Sequence, residues 1–219
     1  MTSILNRRTV LTLAGTAAAL ASPVAMAHLG ADAGAHAHHA DAFSSLLEGA
    51  IHPLTGLDHV AAMLSVGLWS TLSGKAQRMN LQALTGPAAF AGTMLIGGIV
   101  GAMGIHTPAV EPMIAASLLV IGLLVATRLH LPTLLGAALM AMFALYHGLA
   151  HGAELSGHMG AALAGMVAST LTLHGAGMWL GLRLQQSASA PSKWLARAAG
   201  GAVAILGASL MVPAMAHVL

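Results

Sequence analysis

Residues 84–105 read LTGPAAFAGTMLIGGIVGAMGI, a stretch without a charged side chain. An α-helix rises 1.5 Å per residue, so about 20 apolar residues cross the roughly 30 Å hydrocarbon core of a bilayer. Five further apolar stretches of spanning length lie near residues 50–72, 109–127, 131–152, 157–182 and 195–217. The sequence therefore predicts an all-α membrane protein, a compact bundle of six transmembrane helices.

The composition of the whole chain agrees with a bilayer location. Of the 219 residues, 57% are hydrophobic and 6% are charged, against about 25% charged residues in an ordinary soluble domain. This composition argues against a soluble enzyme and against a disordered chain. The chain contains no cysteine, which excludes disulfides, thiolate metal ligands and a thiol nucleophile. It contains 13 histidines, an unusual number beside so few charged residues.

The first 27 residues have the organisation of a signal peptide. Arg7 and Arg8 precede an apolar run, and residues 25–27 read Ala-Met-Ala, which is typical of a cleavage site. Cleavage after this site makes His28 the mature N-terminus. The alternative is an uncleaved first helix.

Beyond the predicted cleavage site the chain divides into two parts. Residues 28–49 form a polar, His-rich segment, and residues 50–219 form the predicted six-helix transmembrane domain. Basic and acidic residues are equal in number in the mature chain, so no basic patch is present. We therefore expect the lipid bilayer as a partner and no nucleic acid.

The basic residues predict the orientation of the helices. All basic residues of the mature chain fall on the first, third and fifth predicted loops or their margins: Lys75, Arg78, Arg128, Arg183, Lys193 and Arg197. Cytoplasmic loops are enriched in Lys and Arg. The pattern predicts a bacterial inner-membrane protein with both mature termini in the periplasm.

Small residues spaced four apart predict close packing between the helices. Such pairs occur at Gly97 and Gly101, at Ala161 and Gly165, and at Gly177 and Gly181. Small side chains let helix backbones approach one another in a membrane. These pairs indicate a compact bundle and do not point to a ligand.

The first predicted span carries a cluster of polar side chains. Inserting an ionisable side chain into a bilayer costs about 2.5–3.5 kcal/mol of free energy on insertion scales, so each such residue indicates a structural or functional role. On a continuous helix His52 and His59 share a face, Met63 extends it and Asp58 lies beside it. Pro53 suits the first turn of that helix. The cluster predicts a metal site, with a hydrogen-bonded core histidine as the alternative.

A second cluster closes the fourth predicted span. His147 and His151 are four residues apart, and Glu154 lies on the same face if the helix continues. The spacing resembles a zinc-protease helix, but Gly148 stands where the catalytic glutamate would be. No general base is placed for hydrolysis, so we expect metal ligation without enzymatic activity. The alternative is a polar helix end that faces water.

Two single residues complete the candidate ligands within the predicted spans. Glu111 opens the third span and could equally be an acidic first turn facing water. His174 lies inside the fifth span as a ligand or a buried hydrogen-bonding group. Imidazole and carboxylate donors suit nickel, cobalt, zinc or copper, whereas Mg²⁺ and Ca²⁺ prefer oxygen. Ligands on several spanning helices suggest a path for a transported ion, with no permanently bound cofactor.

Three motifs resemble those of the HupE/UreJ family, small membrane proteins associated with hydrogenase and urease gene clusters and regarded as nickel or cobalt permeases. The first is His52-Pro-Leu-Thr-Gly-Leu-Asp58-His59-Val-Ala-Ala-Met63, and the second is His147-Gly-x-x-His151-Gly-x-Glu154. The third is Ser-Thr-Leu-Thr-Leu-His-Gly-x-Gly at 169–177, and a leading histidine exposed after the signal is also similar.

The resemblance implies an inward permease for Ni²⁺ or Co²⁺ that supplies hydrogenase or urease, with a link to their maturation proteins. The metal residues that it implies are His52, Asp58, His59, Met63, His147, His151 and Glu154, with Glu111, His174 and His28 as further candidates.

Three other functions compete with this interpretation. An accessory factor could hold or hand over metal without transport. A b-type haem carrier would use paired histidines as axial ligands, but aromatic residues make up only 3% of the chain and arginines are few. An intramembrane protease lacks support, because no H-E-x-x-H motif is present. The chain also has no G-x4-G-K-[ST] motif, so it is not itself an ATP-driven pump.

Overall fold

The computed structural model describes residues 41–73, 80–105, 107–187 and 190–216. This part of the chain forms α-helices joined by short turns, and no strand occurs in it. The helices are α1 Ala42–Thr55, α2 Leu57–Leu72, α3 Leu81–Ala102, α4 Val110–Thr127, α5 Thr133–Glu154, α6 Met159–Gln186 and α7 Ala190–Ala216. The predicted all-α class is confirmed.

Five of these helices, α3 to α7, are long and apolar enough to cross a membrane. Each matches a predicted span, with both boundaries within five residues of the prediction. The agreement reflects local chemistry, since hydropathy and length alone decide whether a helix can span. The chain is therefore a multi-pass helical membrane protein.

The first predicted span, 50–72, is not one continuous helix in the structure. Helix α1 begins within the segment predicted as polar, where Asp41 accepts a hydrogen bond from the Ser44 amide at 2.7 Å. A further hydrogen bond from the Ser44 hydroxyl lowers the pKa of Asp41. The helix ends at Thr55, Gly56 is extended, and α2 starts at Leu57.

The break corrects the expected position of Pro53, which lies in the last turn of α1 and not in a first turn. Proline lacks an amide hydrogen for the helical ladder, and glycine has low helix propensity. Both residues therefore favour the end of α1 here. The predicted signal peptide, His28 and the rest of residues 1–40 lie outside the described residues.

Helices α1 and α2 both pack along α6 and run in the same direction as that helix. Gly49 of α1 meets the backbone of Ala162, near the start of α6. Farther along, the Thr71 hydroxyl of α2 lies 3.5 Å from the Met178 carbonyl. The first predicted span is thus present as two shorter helices in line, with the break at Gly56 facing the interior of the bundle.

Glycines set the closest helix contacts, as the small-residue pairs predict. A Cβ at Gly97 or Gly101 would meet a carbonyl oxygen of α5, and one at Gly165 would meet a carbonyl oxygen of α1. Gly177 faces the Leu64 carbonyl oxygen of α2 in the same way, whereas a Cβ at Gly181 would meet the Thr71 hydroxyl group. Because most of these contacts involve backbone atoms, the helices approach more closely than larger side chains would permit.

The helix directions separate two ends of the bundle. Trp69, late in α2, packs against Gly86 and Gly136, early in α3 and α5. We call this the tryptophan end, and the opposite end, where α2, α4 and α6 begin, the histidine end. The acidic residues of the described chain lie toward the histidine end: Asp41, Glu48, Asp58, Glu111 and Glu154. Its arginines lie toward the tryptophan end: Arg128, Arg183 and Arg197.

Candidate metal centre

Three side chains from two helices converge at the histidine end. His52 comes from the last turn of α1, and His151 and Glu154 come from the last turn of α5. His52 Nε2 lies 2.8 Å from Glu154 Oε2, and one ligand atom from each residue lies within 4.8 Å of the other two. Two imidazole nitrogens and a carboxylate oxygen form a donor set for a borderline divalent ion. We call these three residues the ligand triad.

His59 continues the cluster from the first turn of α2. Its ring centroid lies 4.3 Å from that of His151. Its Nδ1 lies 3.0 Å from Asp58 Oδ1, so an ionised Asp58 would accept a hydrogen bond from Nδ1. A carboxylate in this position fixes the imidazole tautomer and raises the basicity of the other nitrogen, as occurs around metal-binding histidines. Asp58 therefore suits a positioning role for His59.

His147 lies one helical turn before His151 on α5. Its ring centroid is 5.0 Å from that of His59. Its Nε2 is 2.9 Å from the hydroxyl oxygen of Ser117, which itself donates to the Ile114 carbonyl at 2.7 Å. Since the hydroxyl proton is used there, Nε2 carries the imidazole proton and donates to Ser117. His147 Nδ1 is then a buried acceptor with no hydrogen-bond partner among the described residues.

Ser117 was not singled out in the sequence, although it orients a candidate ligand. A serine in an apolar helix commonly donates to a carbonyl of its own helix, and Ser117 does so. Only the packing of α4 on α5 reveals its second role. No signal in the sequence distinguishes it from other span serines.

The remaining candidates within the described residues are not members of the ligand triad. His174 is buried beyond Phe90, whose ring is 5.5 Å from His147 and 5.2 Å from His174. Neither ring nitrogen of His174 has a hydrogen-bond partner in the described part of the chain. Met63 Sδ faces the Thr170 hydroxyl at 3.5 Å, and Glu111 is exposed at the start of α4.

Burial is graded along the cluster. The side chain of Glu154 is 36% exposed and that of His52 is 23% exposed. His59, His147 and His151 are almost wholly buried. An ion arriving at the histidine end would therefore meet Glu154 and His52 first and the three buried imidazoles afterwards.

Gly148, where a zinc protease would carry its glutamate, faces a different neighbour from the ligands. A Cβ at this position would meet the carbonyl oxygen of Met94 and lie 2.8 Å from the Gly98 amide nitrogen. The position is therefore filled by the backbone of α3. A glutamate side chain has no room there.

Gly56 has a comparable steric role beside the metal cluster. Its φ of −95° is open to any residue, so conformation does not require glycine. The space around this position favours glycine, because a Cβ would lie 2.7 Å from Asp58 Oδ1 and 2.8 Å from His59 Nδ1.

We expect Gly56→Ala to weaken metal binding by about 10–100-fold, the usual effect of disturbing the partner of a metal-binding histidine. The added methyl group would push the Asp58–His59 pair apart while leaving the helix packing intact. Calorimetric titration of purified protein with NiCl₂ measures the change. Gly160→Ala, with no atom within 4 Å of the new Cβ, is the matched control. Equal affinity in the two variants would contradict this role for Gly56.

Comparison with known proteins adds two findings. The family model described as HupE / UreJ protein matches residues 16–210. The protein HupE of Rhizobium leguminosarum bv. viciae is 42% identical to this chain over 202 residues, which cover 90% of this chain and 95% of the relative. No solved structure shows a significant match. The resemblance inferred from the motifs is confirmed.

Proposed function

The chain belongs to the HupE/UreJ family, and from that premise we propose that it is a membrane permease for divalent transition-metal ions, nickel or cobalt. One observation carries the proposal: the ligand triad joins two helices of a membrane bundle at the outer edge of a buried histidine cluster. Imidazole and carboxylate donors match these ions. The ion is cargo, with no resident cofactor, and the protein is not an enzyme.

The imidazoles supply the steps by which an ion would move inward. From His151 the next ring is His59, with centroids 4.3 Å apart, and then His147, 5.0 Å from His59. Neighbouring ligands at such distances allow an ion to exchange one donor at a time. Conduction requires sites that bind strongly enough to admit an ion and weakly enough to release it.

An accessory factor that holds metal without transport is the second candidate, and the packing below His147 favours it. Met63, Phe90 and Met94 are fully buried and fill the interior at this depth. Transport therefore needs these side chains to move, whereas storage does not. Measured flux separates the two functions.

The test of the proposed function is uptake of radioactive ⁶³Ni into proteoliposomes that contain the purified protein. Saturable accumulation above that of empty vesicles is expected, with competition by Co²⁺. Protein-bound nickel without accumulation in the lumen would contradict the permease function and support the accessory factor. Mg²⁺ serves as the control competitor, since it prefers oxygen ligands and should have little effect.

We further propose an inner-membrane location with the histidine end in the periplasm and both mature termini outside. The arginines at the tryptophan end support it, because cytoplasmic loops are enriched in basic residues. Acidic residues toward the histidine end would attract cations to the ligand triad. The imported ion would supply hydrogenase or urease through their maturation proteins, as the family's gene associations suggest.

Reporter fusions test the orientation. A fusion at Lys75 should report the cytoplasm, and a fusion at Gly157, in the turn between α5 and α6, should report the periplasm. The prediction rests on an odd number of membrane crossings between these positions. Reporter activity in the same compartment for both fusions would overturn the orientation and with it the direction of transport.

A further inference from the structure

A cavity of about 530 Å³ lies at the tryptophan end, opposite the metal cluster. Its wall is formed by the end of α2, the starts of α3 and α5 and the linker before α5. Trp69 forms part of this wall and donates from Nε1 to the Leu129 carbonyl at 2.9 Å. Among the described residues the wall carries no Asp, Glu, Lys or Arg. We call this cavity the vestibule.

Three hydroxyl groups of the vestibule wall can offer only lone pairs to its interior. Ser70, Ser73 and Thr85 donate to carbonyl groups three or four residues earlier in the chain, at 2.7, 2.8 and 2.9 Å. A hydroxyl group has one proton, and each proton is used in this way. The three oxygens are therefore acceptors, which is the polarity that solvates a cation and its bound water.

His130 adds an imidazole ring to the vestibule wall. Its Nδ1 lies 3.0 Å from the Ser73 carbonyl oxygen. A carbonyl can only accept, so Nδ1 carries the proton and Nε2 of the neutral ring keeps its lone pair. Metal-binding histidines almost always donate their other N–H in this manner, commonly to a backbone carbonyl.

We propose that the vestibule is a weak binding site for a hydrated divalent transition-metal ion, with His130 Nε2 as its protein ligand. As the place where the ion leaves, it rests on the proposed permease function. One imidazole and neutral oxygens bind a divalent ion far more weakly than the ligand triad, which also supplies a carboxylate. Weak binding at this end suits release, because a conducted ion has to dissociate.

Fluorescence of Trp69 tests the site without any measurement of flux. Trp179 and Trp194 are 58% and 69% exposed, so both can be replaced by Phe, which leaves Trp69 as the single tryptophan. The parent protein for the titration also carries His151→Ala, which removes the ligand triad. We expect NiCl₂ in detergent solution to quench Trp69 emission in a saturable way, since Ni²⁺ quenches nearby indoles.

The deciding variant is His130→Asn. The asparagine amide can replace the Nδ1–H donor to Ser73 but provides no Nε2 ligand. The hydrogen bond between the linker before α5 and the Ser73 carbonyl is therefore kept, while the proposed metal ligand is lost. The midpoint of quenching should rise at least about tenfold. His158→Asn, at an exposed histidine of the opposite end, should leave it unchanged. An unaltered Trp69 emission maximum before metal addition shows that the wall is intact.

Thr85→Val is a second variant that removes one acceptor oxygen while keeping the side-chain shape. It should raise the midpoint by a smaller factor than His130→Asn. An unchanged midpoint in both variants, or no saturable quenching in the parent, overturns the vestibule site. If quenching follows this prediction but nickel flux is absent, the vestibule site stands and the permease function fails. If nickel flux is present but quenching does not follow this prediction, the permease function stands and only the vestibule site fails.

Discussion

We expect His151→Ala to reduce ⁶³Ni uptake into proteoliposomes to the level of empty vesicles at limiting nickel. His151 is the residue that joins the ligand triad to the buried imidazoles, because its ring lies 4.9 Å from His52 and 4.3 Å from His59. Its loss removes a proposed metal ligand and interrupts the path in one change. The effect should exceed the roughly 10–100-fold cost of losing an outer hydrogen-bond partner of a ligand.

The same geometry predicts that losses within the cluster do not add. His52, His59 and His151 would hold the same ion or hand it on, so a second alanine in a protein already lacking His151 should lower uptake little further. Single and double variants, compared across nickel concentrations, measure this. Equal, independent reductions at each histidine would indicate separate sites and contradict a shared one.

His158→Ala is the matched control for the histidine series. It removes an exposed histidine at the same end of the bundle, just before α6. Its uptake should equal that of the unaltered protein. Uptake is normalised to folded protein, because a merely structural histidine would lower the amount of protein in the membrane and leave its activity per molecule intact. Normal uptake by His151→Ala, or by His59→Ala, would remove the proposed site.

The second large effect concerns folding, and we expect Gly97→Ala to lose most of its folded protein. A Cβ at Gly97 would meet the Leu145 carbonyl oxygen and lie 3.1 Å from both Gly148 Cα and the Leu149 amide nitrogen. These are backbone atoms that cannot rotate away, so α3 and α5 would have to separate. Overpacking of this kind costs typically 1–3 kcal/mol and occasionally more, so about 3 kcal/mol is expected here.

Gly92→Ala provides the matched control on the same helix. Gly92 is exposed, and an added Cβ would meet no atom within 4 Å. Alanine should therefore stabilise the helix by about 0.5–1 kcal/mol relative to glycine. Thermal unfolding in detergent, followed by the loss of the monodisperse peak, should shift in opposite directions for the two variants. Equal midpoints would show that the α3–α5 contact does not require glycine.

Failure of the Gly97 contact would also disturb the metal cluster. Gly148 lies between His147 and His151 on α5, and it packs directly on α3. A shift of α5 would move both histidines away from His59. Any Gly97→Ala protein that survives purification should therefore bind nickel more weakly than Gly92→Ala.

The positions of the five spanning helices, α3 to α7, could be predicted from local chemistry in the sequence. The same holds for the shared helix face of His147 and His151. Span length and hydropathy depend on a short stretch of chain, and residues four apart lie on one face of any α-helix. The small-residue pairs could be identified for the same reason, since a glycine allows a close approach wherever the neighbouring helix lies.

The convergence of His52 and His59 was decided by the tertiary structure. A continuous helix would place them on one face, but the chain breaks at Gly56 and the two residues belong to different helices. They still meet, because α1 and α2 both pack on α6 and both histidines contact His151 of α5. The spacing of residues within one span could not reveal this arrangement.

Contacts between distant parts of the chain decided the remaining features of the two proposed sites. Ser117 reaches His147 across thirty residues, and His130 reaches the Ser73 carbonyl across 57. Hydropathy and spacing are properties of one helix at a time, whereas these pairs depend on which helix faces which. The sequence thus identified the candidate ligands of the metal centre, whereas helix packing determined which of them share a site and brought His130 to the vestibule.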